Sequence, residues 1–199
     1  VYALRRALFD MPPTAAVELL RQVPLRKVTV AKEVVRLLGE LRSDAAYQLL
    51  LSLDSPTLHR DIRIALMRAL WDHLERPETW QKLESAAHDA DWILASRLAD
   101  IPANRLSVTS EPRLCALLAQ VLTRKEPEAR IELLRRAPAL YLKDLQRIFF
   151  EQCLQRINSR FDDEVVAATA AVLARALEAD VAHFGEAVGA LRKNRRALQ

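Results

Sequence analysis

The chain has 199 residues, 51% of them hydrophobic and 28% charged, with a net charge of +4 and a pI of about 9.3. That apolar share supports a sizeable core and excludes an intrinsically disordered chain. Three glycines are too few for strands joined by tight turns or for a phosphate-cradling loop, and no run of about 18 apolar residues offers a membrane span.

Nine prolines punctuate the sequence: Pro12, Pro13, Pro24, Pro56, Pro77, Pro102, Pro112, Pro127 and Pro138. Each falls between apolar-periodic segments or in a first helical turn, where a missing N–H costs nothing. The intervening patterns predict twelve helices, over residues 3–9, 14–22, 29–41, 44–53, 59–75, 78–88, 91–100, 110–124, 127–136, 143–157, 163–178 and 180–194. Thr29, Ser43, Asp91, Ser110 and Asp162 are the expected N-caps. No segment alternates as a strand would.

The first helix carries Tyr2, Ala3, Leu4, Ala7, Leu8 and Phe9, and is apolar over much of its girth. It therefore asks for a neighbour, and the chain is expected to be a piece of a longer repeat protein or to have this face covered by another chain, a second copy included. The helix over 59–75 has two apolar stripes. Ile62, Ala65, Leu66, Ala69 and Leu70 form one, Ile64, Met67, Trp71 and Leu74 the other, with Arg63, Arg68 and Asp72 between them. One stripe suffices for a surface helix. Two imply packing on both sides, as in a stack of helix pairs or in the centre of a bundle. The segment from Asp163 to Leu173 is apolar nearly all round and calls for the same environment. The last helix has a single stripe, Val181, Phe184, Val188 and Leu191, before a basic tail, which suits a capping end.

A short element recurs. Arg6-Ala7-Leu8-Phe9-Asp10, Arg36-Leu37-Leu38-Gly39-Glu40 and Arg68-Ala69-Leu70-Trp71-Asp72 share one form, and Arg97-Leu98-Ala99-Asp100 is a looser copy. Their arginines are 30, 32 and 29 residues apart, about the length of two helices. The segment Asp61-Ile62-Arg63-Ile64-Ala65-Leu66-Met67-Arg68-Ala69-Leu70 resembles the core of a HEAT-type repeat, and Asp163 to Ala170 resembles it more weakly, with valine in place of the arginine. The motif is specific only between about residues 28 and 100, and its close spacing is similar to that of short HEAT-like repeats in bacterial proteins. Segment 101–160 departs from the pattern. The resemblance implies an all-α, right-handed α-α superhelix of about six helix pairs, with residues 1–199 as a single repeat domain.

Candidate functional residues are few. Arg6, Arg36, Arg68 and Arg97 occupy equivalent repeat positions, so their guanidiniums could line one surface and grip carboxylates or phosphates. Alternatively each bridges to a neighbouring acid, since Asp10, Glu40, Asp72 and Asp100 recur beside them. Trp71 and Trp80 read as core, whereas Trp92, flanked by Asp89 and Asp91, stays open between core and site. Of the histidines His59, His73, His88 and His183, none falls in a zinc-binding spacing. His183 and Glu186 share a helix face, but no metal site is expected from them. Cys115 and Cys153 sit in apolar patterns and read as buried thiols of a reducing, cytoplasmic compartment rather than a disulfide. No catalytic residue and no cofactor is assigned. The favoured function is a non-enzymatic scaffold for a protein or peptide. The mild basic balance and the architecture of HEAT-like DNA glycosylases give the alternative, nucleic-acid binding, and a chromophore lyase or chaperone is a third reading with no residue to carry it.

Overall fold

The structure is a computed structural model and describes residues 2–136. The helices expected beyond residue 136, the cap Asp162, Cys153 and the His183–Glu186 pair lie outside the described residues. So do the side chains of Tyr2, Ala3 and Leu4. Every regular element among the described residues is helical. In chain order they are α1 (Tyr2–Asp10), α2 (Pro13–Arg21), α3 (Val28–Leu41), α4 (Asp44–Leu53), α5 (Arg60–Ala69), α6 (Pro77–His88), α7 (Trp92–Ser96), α8 (Ser110–Leu122) and α9 (Pro127–Arg136). Short 3-10 turns cover Leu70–His73, Arg97–Asp100 and Ala103–Arg105. None of these helices is long and apolar enough to cross a membrane.

Local chemistry explains most boundaries. Pro13 opens α2 with its fixed φ, at a position that needs no N–H. Ser43 Oγ accepts the Ala46 N–H at 3.3 Å to start α4, and Asp91 Oδ1 accepts the Ile93 N–H at 3.1 Å to start α7. His59 Nδ1 takes the same role for α5, accepting from the Asp61 N–H at 3.2 Å. Two expected caps are displaced. Thr29 lies inside α3, which begins a turn-fraction earlier because Val28 packs against the core and the Lys27 carbonyl already accepts the Ala31 N–H at 2.9 Å. Ser110 is the first residue of α8, and Ser107 does the capping. Its Oγ accepts the Ser110 N–H at 3.2 Å while Ser110 Oγ accepts the Ser107 N–H at 2.7 Å, a reciprocal box.

The helices expected over 59–75 and 91–100 are each α-helical only in their first part. Both tighten into a 3-10 turn, at Leu70 and at Arg97. Tryptophan, aspartate and histidine at 71–73 hold a helix weakly, and a residue before a proline, as Arg76 is before Pro77, disfavours helical backbone.

The chain divides into two compact units, residues 1–83 and 84–199. In the first, helices two apart in the chain pack on each other, α2 on α4 and α3 on α5. Their core is continuous: Val17, Leu20, Ala31, Val34, Val35, Leu38, Ala46, Tyr47, Leu50, Ile62, Leu66 and Leu70 are all buried in it. Each buried valine, leucine or isoleucine contributes about 1.5–3 kcal/mol by leaving water, and each alanine less. Both stripes of the segment 59–75, α5 and the turn that follows it, are used. Ile62, Leu66, Ala69 and Leu70 are buried on one and Met67 and Leu74 on the other, with Ile64 and Trp71 half-buried.

The α3–α5 seam is unusually close at one point. A Cβ placed on Gly39 would meet Ala69 Cβ at 2.9 Å and Ala69 Cα at 3.2 Å. Glycine is needed there because the two backbones leave no room for a side chain. At the end of α3, Arg42 adopts the left-handed conformation (φ 48°, ψ 25°), a position that favours glycine.

The second unit repeats the pattern with α7 on α9, while α8 packs on α9 and on the Arg97–Asp100 turn. Leu94, Ala95, Leu98, Ile101, Leu114, Leu118, Val121, Leu122, Ala129 and Leu133 are buried there, as is Cys115.

Candidate functional surface

Three of the four arginines singled out by the repeat stand in the first unit and one in the second. Arg6 is exposed on α1 and Arg68 on α5. Arg36, exposed on α3, lies between two carboxylates of its own helix. Its Nε donates to Glu33 at 2.9 Å, and its terminal nitrogens reach Glu33 and Glu40. The bidentate bond to Glu33 holds the guanidinium charged more firmly than usual, and Glu33 in turn falls below the ordinary carboxylate range. In the second unit Arg97 reaches Asp100 at 3.5 Å, and its Nε is buried with no hydrogen-bond partner among the described residues. Arg36 and Arg97 thus each hold the acid of their own repeat element, Glu40 and Asp100.

Other cations make the longer ties, and these follow the repeat period. In the first unit Arg5 donates to Glu40 at 2.7 Å, 35 residues on, and Arg42 to Asp72 at 3.4 Å, 30 residues on. Arg76 binds Asp44, 32 residues back, and Lys82 reaches Asp54 at 2.8 Å, 28 residues back. In the second unit Arg113 lies 3.4 Å from Glu84, 29 residues back, and Arg136 2.7 Å from Asp100, 36 residues back. Arg124 donates to the Ala87 carbonyl at 2.9 Å, 37 residues back, and so caps the open end of α6. Sequence reasoning found three of the acids, Glu40, Asp72 and Asp100, but not Asp44, Asp54 or Glu84, and none of these donors. The signal available was the period itself, applied to all charged residues rather than to one arginine per repeat.

A polar cluster sits inside the first unit. Tyr47 is fully buried on α4, and its hydroxyl is 3.2 Å from Thr79 Oγ1 on α6. The His73 ring packs on the Tyr47 ring with centroids 4.8 Å apart, and the Arg76 guanidinium covers the same ring at 4.4 Å. His73 is 4% exposed, and its Nε2 is buried without a partner among the described residues. Burial pushes its pKa below the usual imidazole value, partly offset by Glu75.

The tryptophans divide by role. Trp80 is buried and donates its indole N–H to the Leu74 carbonyl at 2.7 Å, a structural bond. Trp71 is half-buried, with a buried indole nitrogen that lacks a partner among the described residues. Trp92 is half-buried in the second unit, where Asp91 caps α7 and Asp89 accepts the Asp91 N–H at 2.8 Å. Both aspartates flanking Trp92 therefore shape the helix start. Among the described residues no group of three or more His, Cys, Asp or Glu side chains could hold a metal ion. Comparison with protein-family models, with curated proteins and with solved structures finds no match for this chain.

Proposed function

We propose that the chain is a HEAT-like helical-repeat scaffold, a right-handed superhelix of about six helix pairs that offers its surface to a protein or peptide and carries out no chemistry of its own. The observation that supports this reading is the set of ties at 28 to 37 residues, each joining a side chain to a group about one helix pair away. In a stack of repeats, equivalent positions on neighbouring layers lie one repeat apart in sequence, so period-length ties are what stacking produces. The packing of α2 on α4, α3 on α5 and α7 on α9 accords with it. Such stacks present extended surfaces suited to chain-like partners.

Nucleic-acid binding through the four arginines is the less favoured reading, because Arg36 and Arg97 already hold carboxylates that would repel phosphates. The test is an unbiased selection from a displayed library of random peptides, run beside a titration with labelled duplex DNA at low salt. Enrichment of a peptide family with no DNA binding is the expected result. DNA binding with a steep salt slope and no enriched peptide would replace the scaffold reading with the nucleic-acid one.

A further inference from the structure

We infer that the connector between α2 and α3, with the first turns of α3, is a docking surface for a short acidic segment of a protein partner. The inference rests on the scaffold reading and specifies the chemistry of what it binds. Six cations of the first unit, Arg5, Arg21, Arg36, Arg42, Arg76 and Lys82, lie against carboxylates. Arg26, Lys27 and Lys32 differ. They are exposed, and among the described residues none has a carboxylate within ion-pair reach. Arg6 on α1 is likewise exposed with no such partner among the described residues, so three of the four cations of this kind lie within one short stretch.

The surroundings of that stretch set the size and kind of partner. Apolar residues precede it along the chain: Leu19 near the end of α2 is 47% exposed, and Val23 and Leu25 in the connector are half-buried. The start of α3 has no acidic residue in its first turn and no side-chain cap, so the positive end of its dipole adds to the cations rather than being cancelled. On either side in the sequence stand the carboxylates of Glu18 and Glu33, each held by an arginine. They confine the positive potential to a few residues. A phosphate backbone, with a charge at every nucleotide, would run from the cations onto those carboxylates. A peptide with a few acidic residues and an apolar one matches both the charge and the exposed Leu19.

The peptide library supplies the probe. The family it enriches is expected to combine Asp or Glu with apolar residues. The synthetic form of its most enriched member is then titrated by fluorescence anisotropy against the chain, against R26E/K27E/K32E, and against R105E/R113E/K125E, which changes net charge equally in the second unit. Circular dichroism confirms that each variant is folded. The first triple variant should lose about tenfold or more in affinity and the second little, and affinity should fall as salt rises. An enriched family without acidic residues, or one whose affinity survives R26E/K27E/K32E, overturns the docking surface and leaves the scaffold reading standing. A library that enriches nothing overturns both.

Discussion

The two units hold helices of similar spacing together by different means. In the first, α3 and α5 meet through Gly39 and Ala69, small residues that let the backbones approach until dispersion and apolar burial dominate the seam. In the second, the Arg97–Asp100 turn that follows α7 is joined to α9 by a charged network. Arg136 joins Asp100 at 2.7 Å and Glu132 at 2.5 Å, and Arg97 reaches the same Asp100. The side chains of Arg136 and Asp100 are 24% and 17% exposed, so this network is shielded from water more than an ordinary surface pair. A repeat period therefore does not dictate one kind of interface. Close apolar contact tolerates salt and fails on added volume, whereas a half-buried ion network tolerates volume and fails when one partner is removed.

The largest effect should come from filling the close seam. Gly39→Val puts two methyls where a single Cβ already meets Ala69 at 2.9 Å. It should destabilise the chain by about 3 kcal/mol, overpacking outweighing the better helix propensity. Gly39→Ala should cost less, and adding Ala69→Gly should restore part of that loss. Denaturant melts of the three variants measure this, and a Gly39→Val protein as stable as the parent would mean that the seam is not tight.

Next in size is the charged network. Arg136→Ala leaves the Asp100 and Glu132 carboxylates facing each other without their shared cation. Discounted for partial exposure, the loss should be about 1–2 kcal/mol. Hydrogen exchange should register it at the amides of α7 and α9 and leave α3 and α5 unchanged. Protection lost evenly along the whole chain would count against two differently built regions.

A smaller effect depends on pH. His73 is neutral in the fold because burial disfavours its charged form, and its pKa lies below the ordinary value of about 6.5. Above that value neither state binds the proton and His73 contributes nothing to the pH dependence. As pH falls from about 6.5 toward the folded pKa, the unfolded chain takes up a proton that the folded chain refuses, so stability declines. His73→Leu should flatten that part of the curve. A parent and variant with parallel stability profiles between about pH 6.5 and 5 would show that the imidazole does not titrate as its burial requires.

Helix positions were legible in the sequence because prolines, caps and a 3.6-residue apolar period all act locally. Ser43 and Asp91 cap as their type and place suggested. The Ser107–Ser110 box was legible too, as two serines three apart before an apolar run, but the nearer serine drew the assignment. The partners of the arginines were not legible. Arg5 rather than its neighbour Arg6 reaches Glu40, and Arg76, outside the recurring element, finds Asp44. Those choices depend on which side of a helix faces the next one, a tertiary property that spacing along one helix does not carry. The same holds for Gly39, which the repeat element placed at a variable position and the packing made indispensable.

The finest distinction between the regions lies in how two helices end. Arg42 closes α3 in the left-handed conformation, whereas Thr123 closes α8 in the right-handed one. Replacing Arg42 by Gly or by Ala removes the exposed Arg42–Asp72 pair equally, so the difference between the two variants isolates backbone strain. Glycine adopts the left-handed region without a Cβ clash, and Arg42→Gly should be the more stable of the two by about 1 kcal/mol. At Thr123 both replacements lose the side-chain bond to the Gln120 carbonyl, but here only glycine's extra freedom in the unfolded chain differs. The order should invert, with Thr123→Ala ahead by about 0.5–1 kcal/mol. Four thermal melts decide it. If both positions rank glycine and alanine the same way, the left-handed turn at Arg42 is not what ends α3.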